Sequence, residues 1–318
     1  MEHILAELRA IAEETRLRIV LLLARGELNV KDLTNILGQS QPRVSRHLKL
    51  LLDSSLINRY REGSWVYFRL SEKAYNYSFV SSVIKSVEEN DPLLKRDLAR
   101  LDSVKMARSE EAANYFASIA ENWDSLRRLQ VPEEKVEAAI LELLDGHLGN
   151  FLDLGTGTGR MLELLSNRAT RSVGVDLSHE MLSYARLKLE KSGLKNSQVR
   201  QGDIFNLPME SGHFDTVIIH QVLHYLDESL SVLKEAARVM KSKAKLLIID
   251  FSPHDNESLR TTHSHRRLGF SDAQMQEWGE QSGMKLIETR DFPPNDNDRM
   301  LNETDDKLTV SLWLFERS

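Results

Sequence analysis

Phe151-Leu-Asp-Leu-Gly-Thr-Gly-Thr-Gly-Arg160 decides how this chain folds. Ahead of it, Leu141–Leu144 and Leu148 end an apolar run, and Asn150 to Leu154 reads as a short buried strand. Behind it, Met161, Leu162, Leu164 and Leu165 recur at helical spacing, so a helix opens where the glycines stop. Strand, glycine-rich turn and helix together make a loop suited to a nucleotide cofactor. Gly155, Gly157 and Gly159 let the backbone turn tightly and approach a ligand that a Cβ would push away.

The spelling around the glycines says more than their number. A lone G-x-G-x-G is a weak signal, and a dinucleotide fold would want G-x-G-x-x-G. Here Asp153 precedes the first glycine by two residues, and Asp176 ends the next apolar strand, Ser172–Val175. A carboxylate there can accept from both hydroxyls of a ribose. Asp203 closes Gln198–Gly202, and Phe214-Asp215 opens the strand Thr216–Ile219. This D-x-G-x-G-x-G, V-D-L-S, G-D-I, F-D-x-V-I series closely resembles class I S-adenosylmethionine-dependent methyltransferases over roughly residues 110–318. An unliganded doubly wound sheet with glycine turns is the alternative.

The resemblance implies roles. Gly155, Gly157 and Gly159 would pass the methionine moiety of S-adenosylmethionine or S-adenosylhomocysteine, with Asp153 fixing the loop. Asp176 would bind the ribose, Leu177 and Met181 would flank adenine, and Asp203 with Ile204 would reach the adenine edge. Thr156 and Gln221 complete the expected cofactor set.

Composition sets outer bounds. A length of 318 residues suggests two domains. No apolar run reaches the ~18–20 residues of a membrane span, and Met1-Glu-His-Ile-Leu-Ala-Glu-Leu8 lacks a basic region before an apolar one, so it reads as no signal peptide. The chain has no cysteine, which excludes disulfides and thiolate metal sites. A cytoplasmic location is the expectation. Lys and Arg number 11 against 9 acidic residues over 1–72, and 6 against 2 within 40–70, whereas the remainder is acidic. A basic head on an acidic body points the head at nucleic acid.

That head reads as helices. Residues 2–14 carry Ile4, Leu5, Leu8 and Ile11 on one face, and Thr15 is placed to cap the helix Arg16–Ala24. A short helix ends at Leu37, Gly38-Gln-Ser40 turns, and Gln41–Leu52 follows with Val44, Leu48 and Leu51 inward. Helix, glycine turn and helix with a basic face make a helix-turn-helix; a protein-interaction surface is the alternative. Ile57–Arg61 and Trp65–Leu70, joined by Glu62-Gly63-Ser64, form a hairpin that adds a wing.

Thr15-Arg-Leu-Arg-Ile19, Ser40-Gln-Pro-Arg-Val-Ser-Arg-His-Leu-Lys49 and Arg61-Glu-Gly-Ser-Trp-Val-Tyr-Phe68 make the head similar to the ArsR-type family of bacterial repressors. DNA contacts are expected from Gln41, Arg43, Ser45, Arg46, His47 and Lys49 in the major groove, with Arg61 and Ser64 of the wing near the backbone. The chain departs from metal-sensing members at Leu28–Asp32, where they carry cysteines and this chain has Asn29 and Lys31. Residues 73–109, broken at Asp91-Pro92, read as two helices. By the resemblance they pair with the first helix in a homodimer; a plain connector is the alternative.

The expected fold is therefore an α+β winged helix-turn-helix (1–72), a helical linker or dimerisation segment (73–109), and an α/β doubly wound, Rossmann-like methyltransferase domain (110–318). Tyr115–Trp123 resembles an entry helix covering the cofactor, or else is an aromatic packing stripe. The acceptor side is reached from His220-Gln-Val-Leu-His-Tyr225. There His224 and Tyr225 are candidate proton acceptors, unless His224 seats the cofactor or merely packs.

Ile249–His254 ends another strand on the same edge, and Thr261–Phe270 follows as a lid or acceptor-pocket segment. His263 and His265, one residue apart with no third partner, are a weak metal pair, so no metal is expected. Without cysteine, cytosine-C5 and arsenite methylation are excluded. Gln221-Val-Leu-His224 is not the Asp/Asn-Pro-Pro-aromatic stretch of exocyclic-amine DNA methylases. Three functions stay open: a regulator coupling adenosyl occupancy to operator binding, a small-molecule methyltransferase with an autoregulatory head, and a non-catalytic sensor or scaffold.

Overall fold

The computed structural model describes residues 2–62, 65–71, 74, 79–87, 91–119, 133–294 and 308–318. The chain divides into two compact units, 1–110 and 111–318.

In the first unit, α1 (Glu2–Ile11), α2 (Glu14–Leu23), the two-residue β1 (Leu28–Asn29), α3 (Val30–Leu37) and α4 (Gln41–Asp53) precede the hairpin β2 (Ile57–Glu62) and β3 (Trp65–Leu70). The sheet order is β1-β3-β2, all antiparallel. Leu22, Leu33, Ile36, Val44, Leu48, Leu51 and Phe68 fill one core. Thr15 does not cap α2. Glu13 is the cap, accepting from Arg16 N at 2.9 Å, and Thr15 lies one residue inside the helix, buried, accepting from Gln39 Nε2 at 3.2 Å. The cap thus falls two residues earlier than expected, and the Thr15 hydroxyl serves both Glu13 and the turn before α4.

Next come α5 (Phe79–Ser86) and α6 (Pro92–Ile119). Asp91 Oδ1 accepts from Leu93 N and Leu94 N at 2.9 Å, so Asp91-Pro92 is a helix start with proline where no donor is needed. The Arg18 guanidinium on α2 meets Asp97 on α6 through both oxygens, at 2.5 and 2.8 Å. Ser64 and the side chains of Tyr115–Trp123 lie outside the described residues.

The second unit runs α7 (Glu133–Leu143), β4 (Asn150–Leu154), α8 (Arg160–Leu165), β5 (Arg171–Asp176), α9 (His179–Lys191), β6 (Ser197–Gln201), β7 (Phe214–His220), α10 (Ser229–Val239), β8 (Met240–Phe251), α11 (Ser258–Thr262), α12 (Asp272–Gln281), β9 (Met284–Phe292) and β10 (Val310–Arg317). The sheet order is β6-β5-β4-β7-β8-β10-β9; the first five strands are parallel and β10 is antiparallel to both neighbours.

Strand residues alternate between two cores. Leu152, Leu154, Val217, Ile219, Leu246, Ile248, Trp313 and Phe315 pack on one face, and Phe151, Ile218, Leu247, Ile249, Leu312 and Leu314 on the other. Period-two burial on both sides is what a sheet covered by helices requires. Strands β5 and β6 lie to one side of β4, and β7 and β8 to the other. The direction of winding reverses between β4 and β7, and a doubly wound sheet binds its ligand at the carboxyl ends of strands flanking that point.

Candidate functional site

The loop after β4 sits at that reversal. Gly155, Gly157 and Gly159 have φ of 71°, 52° and 82°, the left-handed region that glycine occupies without strain. Gly155 N and Thr156 N both donate to Val175 O, at 2.8 and 3.0 Å, which ties the loop to the end of β5. Asp153 is buried and accepts from Thr156 Oγ1 at 2.5 Å. Gly174 makes room for this: a Cβ there would come within 2.6 Å of Thr156 Oγ1. Sequence reading missed Gly174; a lone glycine inside an apolar strand was the available signal.

Asp176 closes the loop from the other side, accepting from Gly157 N at 2.8 Å and from Ser178 N at 2.9 Å. Burial raises its pKa above the ordinary aspartate value, and the hydrogen bonds from Ser178, Gly157 and Leu177 only partly offset that. Gly202 N donates to Asp176 O at 3.0 Å, so the turn carrying Asp203 begins beside it. Asp203 is exposed and accepts from Phe205 N at 2.9 Å; Ile204 and Met181 are buried and Leu177 is half exposed.

On the β7 side, Gln221 has a φ of 54°, costly for a residue with a side chain. It is buried, and its Nε2 has no hydrogen-bond partner. Its neighbour Val222 presses on the glycine loop, since a Cβ on Gly155 would lie 2.3 Å from Val222 Cγ2. The glycine loop and the segment after β7 thus pack against each other. Asp215 stands elsewhere. It sits near the start of β7, where it binds Lys241 Nζ at 2.8 Å and accepts from Asn150 N at 2.9 Å. Burial alone would raise its pKa, but those two donors leave it lowered.

His224 and Tyr225 are both buried, their ring centroids 4.1 Å apart. His224 Nδ1 is 2.7 Å from Asp250 Oδ1, at the end of β8. Residues 252–270 return over this loop. Arg266 N and Arg267 N donate to His224 O at 2.8 and 3.0 Å, and Phe270 N donates to Phe251 O at 2.8 Å. Among the described residues, no three His, Asp or Glu side chains converge to hold a metal.

In the first unit, Gln41, Arg43, Ser45, Arg46 and Lys49 are exposed on α4, and Arg61 is exposed on the wing. His47 departs from the sequence reading. It lies three residues after Val44 and four before Leu51, on the flank of the buried stripe. Its side chain is only 12% exposed and turns toward Glu13, with Nδ1 3.4 Å from Oε2. Burial holds its pKa below the ordinary imidazole value, with Arg16, Arg43 and Arg46 pressing the same way against Glu13.

Comparison with known proteins agrees with both halves. Residues 13–59 match the description of a bacterial regulatory protein of the arsR family. Over 95 residues the chain is 43% identical to the arsenical resistance operon repressor of Escherichia coli (strain K12), covering 29% of this chain and 81% of the repressor. The chain belongs to the arsR family.

Behind that repressor-like head lies a methyltransferase domain, matched over residues 152–248. Over 156 residues the chain is 31% identical to demethylmenaquinone methyltransferase of Lactococcus lactis subsp. lactis (strain IL1403), covering 47% of this chain and 62% of that protein. The chain thus spans somewhat under two thirds of this relative's length. The fold also matches a chain of the solved complex between the Haloferax volcanii Trm112 methyltransferase activator and a methyltransferase. The TM-score is 0.52 at 20% identity, covering 63% of this chain and 96% of that one.

In the arsR-family head, the Leu28–Asp32 stretch is built as a helix start. Asn29 Oδ1 accepts from Asp32 N at 2.9 Å, and Asp32 Oδ2 accepts from Asn29 N at 3.1 Å. Among the described residues, no helix is long and apolar enough to cross a membrane.

Proposed function

We propose that this protein is an operator-binding regulator whose second domain holds S-adenosylmethionine or S-adenosylhomocysteine, with the occupancy of that domain setting the affinity for DNA. The reading rests chiefly on Asp176, a half-buried carboxylate that accepts from the Gly157 amide of the glycine loop and whose pKa burial raises. Ribose hydroxyls donating to it favour the charged form and relieve that penalty. Gln221 supplies a buried amide donor without a partner, and the three left-handed glycines hold the turn that presents the loop backbone. These residues suit an adenosyl ligand: Asp176 would hold the ribose, and Gln221 and the Gly155–Gly159 backbone the amino-acid end. Leu177, Met181, Asp203 and Ile204 would border the adenine. When bound, S-adenosylmethionine supplies a methyl group on a cationic sulfur.

We assign 1–72 to DNA reading, 73–109 to dimerisation and 110–318 to ligand binding. The dimer reading draws on the exposed Ile4 and Leu5 of α1 and the exposed Leu93 and Met106 of α6. A two-fold dimer suits two operator half-sites. The test is a titration of duplex DNA from upstream of the protein's own gene, with and without each adenosyl ligand. At least one ligand should shift the DNA affinity by roughly 5- to 150-fold, the size of a ~1–3 kcal/mol coupling. Equal affinities throughout would remove the regulatory reading.

Within the head, Arg46 on the exposed face of α4 is assigned to base edges and Arg61 to phosphate. Arg46→Ala should weaken the preferred site by about 1–3 kcal/mol while sparing unrelated DNA. Arg61→Ala should weaken all duplexes alike and flatten the salt dependence by about one phosphate contact. Identical behaviour of the two variants across sequences would refute this division. A working small-molecule methyltransferase is the second reading, favoured by the bond between Asp250 and His224.

A further inference from the structure

A cluster of imidazoles at the carboxyl ends of β7 and β8 is not among the residues assigned above to the adenosyl ligand. His224 Nδ1 lies 2.7 Å from Asp250 Oδ1, and that oxygen also accepts from Phe251 N at 2.8 Å. A carboxylate accepting from Nδ1 fixes the tautomer, so Nε2 carries the lone pair. The His265 ring lies 4.3 Å from that of His224, 5.2 Å from that of Tyr225, and stacks on Phe251 at 5.8 Å. His265 is 2% exposed, yet neither of its ring nitrogens has a hydrogen-bond partner, and His254 Nε2 has none. Buried polar atoms are ordinarily satisfied, so orphans grouped beside an oriented imidazole mark a place where a ligand's polar group completes the set.

The charge environment narrows the ligand. Burial, then His224, His254, His263 and Arg260, hold His265 well below the ordinary imidazole range. Burial and the nearby His224 and Arg260 push His254 down to about 4, against the opposing pull of Asp250 and Asp255. Both rings are neutral at physiological pH, and the buried Asp250 already serves His224 and two backbone amides. The buried carboxylate of the cluster, Asp250, is already committed, so an ammonium group would meet only the exposed Asp255 among the carboxylates that act on these rings. A thiol ionises near neutrality unaided, and a neutral arylamine attacks without prior deprotonation. A hydroxyl on an aromatic ring, with a pKa of about 10, is the acceptor that needs an acid-oriented imidazole.

Resting on the adenosyl reading above, we propose that this cluster is an acceptor subsite for a weakly acidic hydroxyl on a flat ring. His224 takes the proton, Asp250 is the positioning residue, and His265 hydrogen-bonds the acceptor. The hydroxyl proton passes to His224 Nε2, the freed oxygen pair forms the O–CH3 bond, and the S–CH3 pair stays on sulfur. The products are an aryl methyl ether and S-adenosylhomocysteine, and His224 returns its proton to water.

A matched set of probes tests this on the full-length protein: 1-naphthol, 1-naphthalenethiol and 1-naphthylamine, each with S-adenosylmethionine and read by mass spectrometry. The wild type should methylate the naphthol. Asp250→Asn should lower the naphthol rate about 100-fold or more while changing the thiol rate less than about threefold, because the thiol needs no base. His265→Phe should raise KM for the naphthol and leave S-adenosylhomocysteine binding unchanged. Its thermal midpoint should hold or rise, since two orphan nitrogens are removed; this variant serves if Asp250→Asn fails to fold. Calorimetry with S-adenosylhomocysteine separates the two layers. No heat at all sinks the adenosyl reading; heat without naphthol turnover, or equal losses for naphthol and thiol in Asp250→Asn, overturns the acceptor assignment alone.

Discussion

Asp97→Ala should lower the local stability of the α2–α6 contact by about 3–5 kcal/mol, the cost of stranding one member of a buried ion pair. Asp97 is fully buried and Arg18 nearly so, and the two meet in a bidentate fork. The hydrogen bond to Asp97 comes first among the causes that raise the Arg18 pKa. Removing the carboxylate therefore leaves a nearly buried guanidinium, with the exposed Glu14 at 3.5 Å a weak substitute. Because a two-unit chain need not unfold in one step, the measurement is hydrogen exchange of the amides in 14–23 within the intact protein. Protection there should fall roughly 100-fold or more. The double variant Arg18→Leu/Asp97→Leu should recover most of it, since well-packed apolar replacements of buried pairs are often neutral. A loss under about 1 kcal/mol in Asp97→Ala would mean the pair holds nothing in place.

Asp176→Asn should weaken adenosyl-ligand binding by about 100-fold, because hydrogen bonds to a charged acceptor are worth ~1.5–3 kcal/mol each. Asparagine keeps the shape and one acceptor oxygen but loses the charge. The same site gives a pH signature, and its sign follows from the raised pKa. With folded pKa above the unfolded value, protonation of Asp176 favours the fold, so the ionised carboxylate costs stability at neutral pH. The ligand favours the ionised form. Affinity should therefore fall as pH drops through that raised pKa, beginning at a higher pH than an exposed aspartate would give. Calorimetry from pH 8 downward checks this. Unchanged affinity in Asp176→Asn, or a pH-independent wild type, would remove this residue from the ligand.

Much of this was legible in the chain. Glycines at alternate positions after an apolar strand, with acids at or next to the ends of β4 and β5, point to the loop because each residue type meets a local backbone or hydrogen-bond demand. The helix-turn-helix was legible because Val44, Leu48 and Leu51 set the phase of α4. That phase should also have turned His47 inward; the basic run around it masked the periodicity. Strand β9 went unseen because Met284-Lys-Leu-Ile-Glu-Thr-Arg-Asp-Phe292 is an edge strand, polar on much of its length, with Ile287 exposed. The meeting of His224, Asp250, His254 and His265 was not readable at all. Residues roughly 26 to 41 positions from His224 come together with it only because β8 lies beside β7 and residues 252–270 fold back onto the loop after β7. The left-handed backbone at Gln221 likewise has no signature in a residue of that type.

The placement of β10 bears on how the second unit is made. Trp313 and Phe315 are fully buried, and Trp313 Nε1 donates to Asp272 at 2.7 Å. Strand β10 is wedged between β8 and β9, so β9 joins the sheet only through it. During synthesis the ribosome delivers residues 310–317 after the other described strands of this sheet. Until they emerge, the nascent domain carries two unsatisfied strand edges and a gap in its core, the period in which a chaperone has most to protect.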